Sequence, residues 1–212
     1  MTLINEQAGD VLLSRALTYT VGSLAGTKNL QGNYGSGARY LRVLQSKDTE
    51  WSGIVVADGS DRFKGLTVAP GASAAGTLTL SGTQVKSQTL TVESGAAVNL
   101  TGTWLGATTV AGTFGGTGTL TGDLTLSNGA TIKVNDISDP LEVSGSLTAT
   151  GAITIELPEG AGKGMVITTG SKPDISGATF TTKIGGVEKK LKVTATADGL
   201  KVGFQSLLIR IR

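Results

Sequence analysis

The side chains best able to do chemistry in this sequence are its carboxylates, and they are dispersed. Glycoside cleavage needs two carboxyl groups that flank the scissile bond. Glu142 and Glu156 lie on neighbouring predicted strands, and a fold that stacks strands could bring them together. The sequence does not show that contact. We therefore predict no catalytic residue, with a polysaccharide lyase or glycoside hydrolase as the enzymatic alternative.

Two pairs of aspartates share corners between predicted strands. Asp136 and Asp139 form one pair, and Asp58 and Asp61 form the other. Oxygen ligands that lie close together in a loop are those that Ca²⁺ prefers. Aspartate is also a common turn former, because its side chain hydrogen-bonds to the nearby backbone. We interpret both pairs as turn residues and predict no metal site and no cofactor.

Histidine and cysteine are both absent from the 212 residues. Without histidine the chain lacks the commonest general base and metal ligand, and no Ser-His-Asp or Cys-His machinery can form. Without cysteine, disulfide scaffolds and cysteine-based zinc sites are excluded. The composition therefore argues against an enzyme.

Trp104, in the phrase TGTWLG, is the candidate ligand-binding residue. It is one of two tryptophans and interrupts a run of small residues. An exposed indole could stack on a sugar ring. The alternative is a residue that packs in a corner, which is also the role expected of Trp51.

Threonine pairs form a further candidate surface. Aligned threonine ladders on a flat solenoid can bind ice, but these pairs do not recur at a fixed spacing. We interpret them as ordinary outward-facing strand residues. The pairs are Thr77/Thr79, Thr119/Thr121, Thr148/Thr150 and Thr194/Thr196.

Short strands must position all of these residues. In GTLTGDLTLSNGATIKV, residues 118–134, apolar and polar residues alternate with the period of two expected for a strand with one buried face. This predicts strands at 124–126 and 130–134 around a corner at Ser127–Gly129. A further strand is predicted at Tyr40–Leu44, followed by a polar corner at Gln45–Glu50.

Similar phrases recur at spacings of about 12 to 18 residues, which indicates an imperfect repeat. Glycine corners and the lack of helix-forming runs favour a parallel β-helix, with a β-sandwich as the alternative. The predicted core comprises Leu78, Leu80, Leu90, Val92, Val98, Leu100, Leu124, Leu126, Ile132, Val134, Leu141, Val143, Ile153, Ile155 and Leu157.

We therefore predict an all-β fold: a right-handed parallel β-helix, or solenoid, with a small C-terminal β cap. Residues 1–157 would form the coils, and residues 158–212 a last coil and the cap of the same continuous domain. In that segment FTTKIGG and KKLKVTATADGLKVGF suggest a hairpin pair with Ala197, Asp198 and Gly199 at the turn. A cap is expected because a solenoid end exposes an unpaired sheet edge.

Several phrases resemble the autotransporter-associated β-strand repeat, most strongly over residues 76–157. The resemblance implies a right-handed parallel β-helix in the passenger region of a bacterial autotransporter or a related surface protein, and it brings no catalytic residues. The phrases that carry it are GTLTLSG, the strand start at Trp51–Gly53, GDLTLSNGATIKV and LEVSGSLTATGAITIEL.

The function implied by the resemblance is a non-catalytic structural or adhesive segment at the bacterial cell surface or outside the cell. Host or surface glycans or proteins would be its partners, and self-association stays open. The first ten residues do not form a signal peptide, so export and any contact with the outer membrane would depend on a parent protein and its barrel. The alternatives are a carbohydrate-binding or carbohydrate-cleaving β-helix and a trimeric capsid or fibre subunit.

Charge does not suggest a nucleic-acid partner. The formal net charge is +2, and the basic residues are scattered. The densest cluster, Lys189, Lys190 and Lys192, lies beside Glu188 and is interpreted as a solvated strand face.

Overall fold

A computed structural model describes residues 2–5, 11–13, 18–32, 38–56, 63–85 and 87–204. Within those ranges every regular element is a β-strand, so the all-β prediction is confirmed. A search of the same ranges found no helix that could span a membrane.

The strands are short in most of the chain and longer toward its C-terminal end. In chain order they are β1 (Thr2–Asn5), β2 (Val11–Leu13), β3 (Thr18–Val21), β4 (Ser23–Gly26), β5 (Leu30–Gly32), β6 (Arg39–Gln45), β7 (Thr49–Trp51), β8 (Val55–Val56), β9 (Phe63–Pro70), β10 (Thr77–Leu80), β11 (Thr89–Val92), β12 (Ala97–Leu100), β13 (Thr103–Leu105), β14 (Thr108–Val110), β15 (Thr113–Gly116), β16 (Thr119–Thr121), β17 (Leu124–Leu126), β18 (Thr131–Lys133), β19 (Leu141–Val143), β20 (Leu147–Leu157), β21 (Gly164–Thr169), β22 (Asp174–Ile184), β23 (Val187–Lys189), β24 (Leu191–Thr196) and β25 (Gly199–Phe204).

Parallel pairing arranges the strands on three faces of a solenoid-like repeat. Face 1 stacks β1, β4, β7, β10, β12, β15 and β18, and face 3 stacks β3, β6, β9, β11, β14 and β17. The long strand β20 pairs with both β17 and β18 and joins the two stacks into one 16-stranded sheet. Face 2 carries two smaller sheets, which contain β2, β5 and β8, then β13, β16, β19 and β21.

The chain visits the faces in the same cyclic order while the length of the coil varies. Sixteen residues separate Leu100 from its partner Gly116, whereas 29 separate Trp51 from its partner Leu80. The loops absorb the difference, because a register slip of one residue would turn every buried side chain outward. Nine of the described strands stack on face 1, counting β20 and β22, and at about 4.8 Å per strand the stack is about 40 Å long.

The core runs along the inside of this stack. Val98, Phe114, Ile132 and Ile155 occupy one inward position on successive strands of face 1, and all four are buried. Every residue of the predicted core is likewise buried. In the strands that carry the predicted core, the alternation of apolar and polar residues was therefore sufficient to predict which side faces inward.

The polar corner predicted at Gln45–Glu50 is wrong at both ends, because Thr49 and Glu50 already belong to β7. Gln45 is the last residue of β6 and is completely buried. Its Nε2 donates hydrogen bonds to the carbonyl oxygen of Lys47 at 2.5 Å and to Thr49 Oγ1 at 2.7 Å. The glutamine thus closes the corner from inside, where a buried amide needs such partners.

Pairing changes direction at the C-terminal end. The predicted hairpin is confirmed as β24 and β25, which pair antiparallel around a turn at Ala197 and Asp198, and β25 also pairs antiparallel with β21. FTTKIGG is not part of that hairpin: Phe180–Ile184 continues the long strand β22, which pairs parallel with β20 and antiparallel with β23. Residues 205–212 lie outside the described ranges.

Candidate functional site

Trp104 lies inside the solenoid. Its side chain is 0% exposed, and its indole Nε1 donates a hydrogen bond to the carbonyl oxygen of Gln88 at 3.1 Å. In this position neither face of the ring is open for a sugar to stack on. This burial matches the alternative interpretation of Trp104 as a residue that packs in a corner. The indole N–H has the hydrogen-bond partner that a buried tryptophan usually has. Trp51 is buried in the same way, and its Nε1 donates to the carbonyl oxygen of Lys28.

The two glutamates considered for glycoside chemistry lie in different sheets. Glu142 belongs to β19 on face 2, where it accepts a hydrogen bond from Thr119 Oγ1 at 3.2 Å. Glu156 belongs to the part of β20 that pairs with β18 on face 1. Stacking of coils therefore does not align the two carboxylates.

The aspartate corner after β18 is a hydrogen-bonded turn. Asp136 accepts hydrogen bonds from Ser138 Oγ at 2.6 Å and from the Ser138 amide at 2.8 Å, and these bonds lower the pKa of its carboxyl. In the part of the chain that the structure describes, no three acidic side chains are grouped so as to hold a metal ion. The second pair, Asp58 and Asp61, falls outside that part.

A groove on the outer surface of face 1 is the strongest candidate site. It has a volume of about 240 Å³ and lies over β10, β12, β15 and β18. Small residues form its floor and polar side chains form its walls. Its lining residues are Thr77, Ala97, Val98, Asn99, Thr113, Gly115, Lys133 and Asn135.

Strand register explains why the groove forms at this place. On successive strands of face 1, one outward position is occupied by Thr79, Asn99, Gly115, Lys133 and Glu156. Gly115 therefore removes a side chain from the middle of a polar row. A Cβ at Gly115 would lie 2.0 Å from the carbonyl oxygen of Lys133, so close backbone packing requires glycine there.

A hydrogen bond between two asparagines holds one side of the groove. Asn135 Nδ2 donates to Asn99 Oδ1 at 2.7 Å, although 36 residues separate them in the sequence. Each amide retains further hydrogen-bonding capacity, because an amide group carries two donor hydrogens and an acceptor oxygen. The pair therefore presents both donors and acceptors at fixed positions.

A second depression of about 250 Å³ extends the groove toward the C-terminal end of face 1. It shares Lys133 and Asn135 with the first depression and adds Glu156, Pro158 and Gly185. We call the two adjacent depressions together the face 1 groove. Lys133 and Glu156 are the two charged residues that line the face 1 groove. They have opposite signs and are paired in the register of β18 and β20.

Comparisons of the chain with protein-family models, with curated proteins and with solved structures found no match. The likeness to the autotransporter-associated repeat thus remains a resemblance of phrases. The function has to be inferred from the residues and geometry of the chain itself.

The outer surface of face 3 differs, because it includes a column of threonines. Thr67, Thr91, Thr109, Thr125 and Thr148 occupy one outward position on five successive strands. All members of the four predicted threonine pairs are at least partly exposed, as the interpretation as outward strand residues requires. Irregular spacing in the sequence concealed the alignment, because the coils differ in length.

Sequence reasoning selected Trp104 and missed the face 1 groove. A signal was present, since Gly115 interrupts the alternation of β15 and Asn99 stands among strand residues. The contact between Asn99 and Asn135 was not accessible, because it depends on the lengths of the intervening coils.

Proposed function

We propose that this chain is a non-catalytic structural and adhesive segment of an autotransporter-like passenger, exposed at a bacterial surface or secreted. The observation that carries the proposal is the continuous core beneath nine stacked strands of face 1. Such a stack projects its outer faces along one axis, and each coil needs only its neighbours for stability. This architecture suits a stalk that displays contact surfaces.

In this proposal the solenoid is right-handed, as parallel crossover connections nearly always are. The segment formed by β23, β24 and β25 acts as its C-terminal cap by pairing with the edges of β21 and β22. Thr182 Oγ1 donates to the carbonyl oxygen of Lys189 and accepts from the Leu191 amide at 3.3 Å, which ties the connection to the last coil. Covering sheet edges in this way prevents unwanted pairing with other chains.

Three of the aspartates serve in turns and loops and not as a catalytic acid. A glycosidase needs a carboxylic acid whose pKa is raised. The pKa values of Asp123, Asp136 and Asp174 are all lowered, in each case by hydrogen bonds from the backbone and hydroxyl of one serine. These exposed aspartates therefore behave as turn or loop anchors.

The second candidate function is a carbohydrate-binding β-helix without the stalk role. The face 1 groove favours it, because small floor residues with donors and acceptors on the walls match a hydroxyl-rich ligand. The two candidates share a glycan contact and differ in whether the chain must belong to an exported passenger.

Incubation of the purified chain with immobilised polysaccharides and mucin glycans tests the function. We expect retention on at least one glycan without release of reducing or unsaturated ends. Released ends at an enzymatic rate would overturn the non-catalytic proposal. Absence of both signals would contradict the adhesive part and leave a purely structural segment, and a stable trimer in solution would favour a fibre subunit instead.

A further inference from the structure

The face 1 groove has the shape of a site for an extended chain. Its two depressions share Lys133 and Asn135, and together they run from Thr77 in β10 to Gly185, just beyond β22. The groove therefore crosses six successive strands of face 1, a distance of about 24 Å at the usual strand spacing. A linear ligand lying along the solenoid axis would fill it, whereas a single small molecule would occupy only one depression.

The walls present donors and acceptors in balance. The Lys133 ammonium only donates hydrogen bonds, the Glu156 carboxylate only accepts them, and the amides of Asn99 and Asn135 do both. A hydroxyl group also does both. An anionic chain would meet the Glu156 carboxylate beside Lys133, so like-charge repulsion opposes phosphate-rich or uronate-rich ligands.

The floor is small and apolar. It consists of the Ala97 methyl group, which lies between Thr77 and Thr113 in the register, and the backbone of Gly115, two residues beyond Thr113 in β15. A pyranose ring has C–H bonds on its faces and hydroxyls at its rim. That pattern is complementary to an apolar floor between polar walls.

We propose that the face 1 groove binds a neutral linear oligosaccharide lengthwise, with Asn99, Lys133 and Asn135 hydrogen-bonding to its hydroxyls. The inference rests on the adhesive part of the proposed function. Glu156 is the one carboxylate among the residues that line the groove, so binding there supplies no second carboxylate for cleavage.

Titration of the full chain with defined oligosaccharides tests the site. The probes are neutral oligomers of glucose, mannose, xylose and N-acetylglucosamine from dimer to hexamer, with oligogalacturonates as acidic counterparts. For at least one neutral series, affinity should rise with length as more of the groove is filled. The affinity should be nearly the same at low and high salt, because no net charge drives binding.

Two matched tyrosine variants locate the site. Ala97→Tyr places a bulky side chain on the floor, and Ala107→Tyr places the same side chain at an exposed position directly before β14 on face 3. We expect at least about a tenfold loss of affinity for Ala97→Tyr, which is 1.4 kcal/mol, and no change for Ala107→Tyr. Lys133→Ala, at an exposed side chain, should weaken binding while the thermal unfolding midpoint stays the same.

Three results would overturn the groove assignment. They are failure of every neutral oligomer to bind, tighter and salt-dependent binding of the oligogalacturonates, and an equal loss of affinity in both tyrosine variants. Equal loss would move the site elsewhere on the solenoid while an adhesive role survives. Release of sugar ends from the same samples would instead reject the non-catalytic function, so the two failures are distinguishable.

Discussion

Face 1 and face 3 share one construction but differ in what they show to the solvent. Both are parallel stacks joined by β20, and both turn aliphatic side chains inward at alternating positions. Outward, face 3 repeats threonine from Thr67 to Thr148. Face 1 instead places asparagine, glycine and lysine at equivalent positions, and the missing side chain of Gly115 opens a groove.

The difference between the outer surfaces of faces 1 and 3 indicates which positions of this fold can form a binding site. Inward positions are constrained by the shared core, and register preserves them even when coils differ in length. Outward side chains contact other coils only at the surface, as Asn99 contacts Asn135. A few different residues there can turn a uniform face into a groove, although at Gly115 the close backbone of Lys133 constrains the choice as well.

The largest predicted effect of a single change comes from removing the glycine that distinguishes face 1. Gly115→Ala would place a Cβ against the Lys133 carbonyl, and because that atom is backbone it cannot move aside freely. We expect a loss in the free energy of unfolding of about 1–3 kcal/mol, measured by urea denaturation. Thr109→Ala, at an exposed position of face 3, is the control and should change it by less than about 0.5 kcal/mol. Equal effects would mean that the two faces are packed alike.

A smaller effect of opposite sign is predicted on the inner side of face 3. Thr108 is buried between Leu90 and Leu124 in the register, and its Oγ1 has no hydrogen-bond partner. Thr108→Val keeps the shape and removes the unsatisfied hydroxyl, so the free energy of unfolding should rise by about 1 kcal/mol. A decrease measured by thermal denaturation would show that the hydroxyl has a partner, such as a buried water molecule.

The smallest predicted effect is on the stability of the protein in acid. It distinguishes an aspartate that bonds to the next coil from one that bonds within its own turn. Asp123, before β17 on face 3, accepts hydrogen bonds from the amide and hydroxyl of Ser146 in the next coil, and these lower its pKa below the ordinary value of an aspartate. A lowered folded pKa stabilises the protein above the unfolded value and ceases to do so as pH falls through the folded value. Stability should therefore decline as the pH falls below the ordinary pKa of an aspartate, and Asp123→Asn should make that decline shallower.

Asp136→Asn is the matched control, after β18 on face 1. Asp136 bonds to Ser138 only two residues away, and such a local turn can also form in the unfolded chain. We expect this variant to alter the acid dependence less than Asp123→Asn does. Denaturant midpoints across the acid range measure both, and identical slopes would contradict the distinction.

The sequence by itself determined the strands and their buried sides. Alternation of apolar and polar residues is a local property, so Leu124–Leu126, Leu141–Val143 and the β24–β25 hairpin could be assigned without knowing any contact. Burial of the whole predicted core follows from the same rule. The recurrence of similar phrases indicated that these strands stack.

Only the tertiary structure decided which outward residues become neighbours. The stacking of coils brings Asn99 next to Asn135, puts Gly115 between Asn99 and Lys133, and separates Glu142 from Glu156. It also buries Trp104 and Gln45, which the sequence suggested as a ligand-binding residue and a corner residue. The physical reason is that neighbours along a solenoid axis are set by coil length, and loops of variable length leave no fixed spacing in the sequence to read.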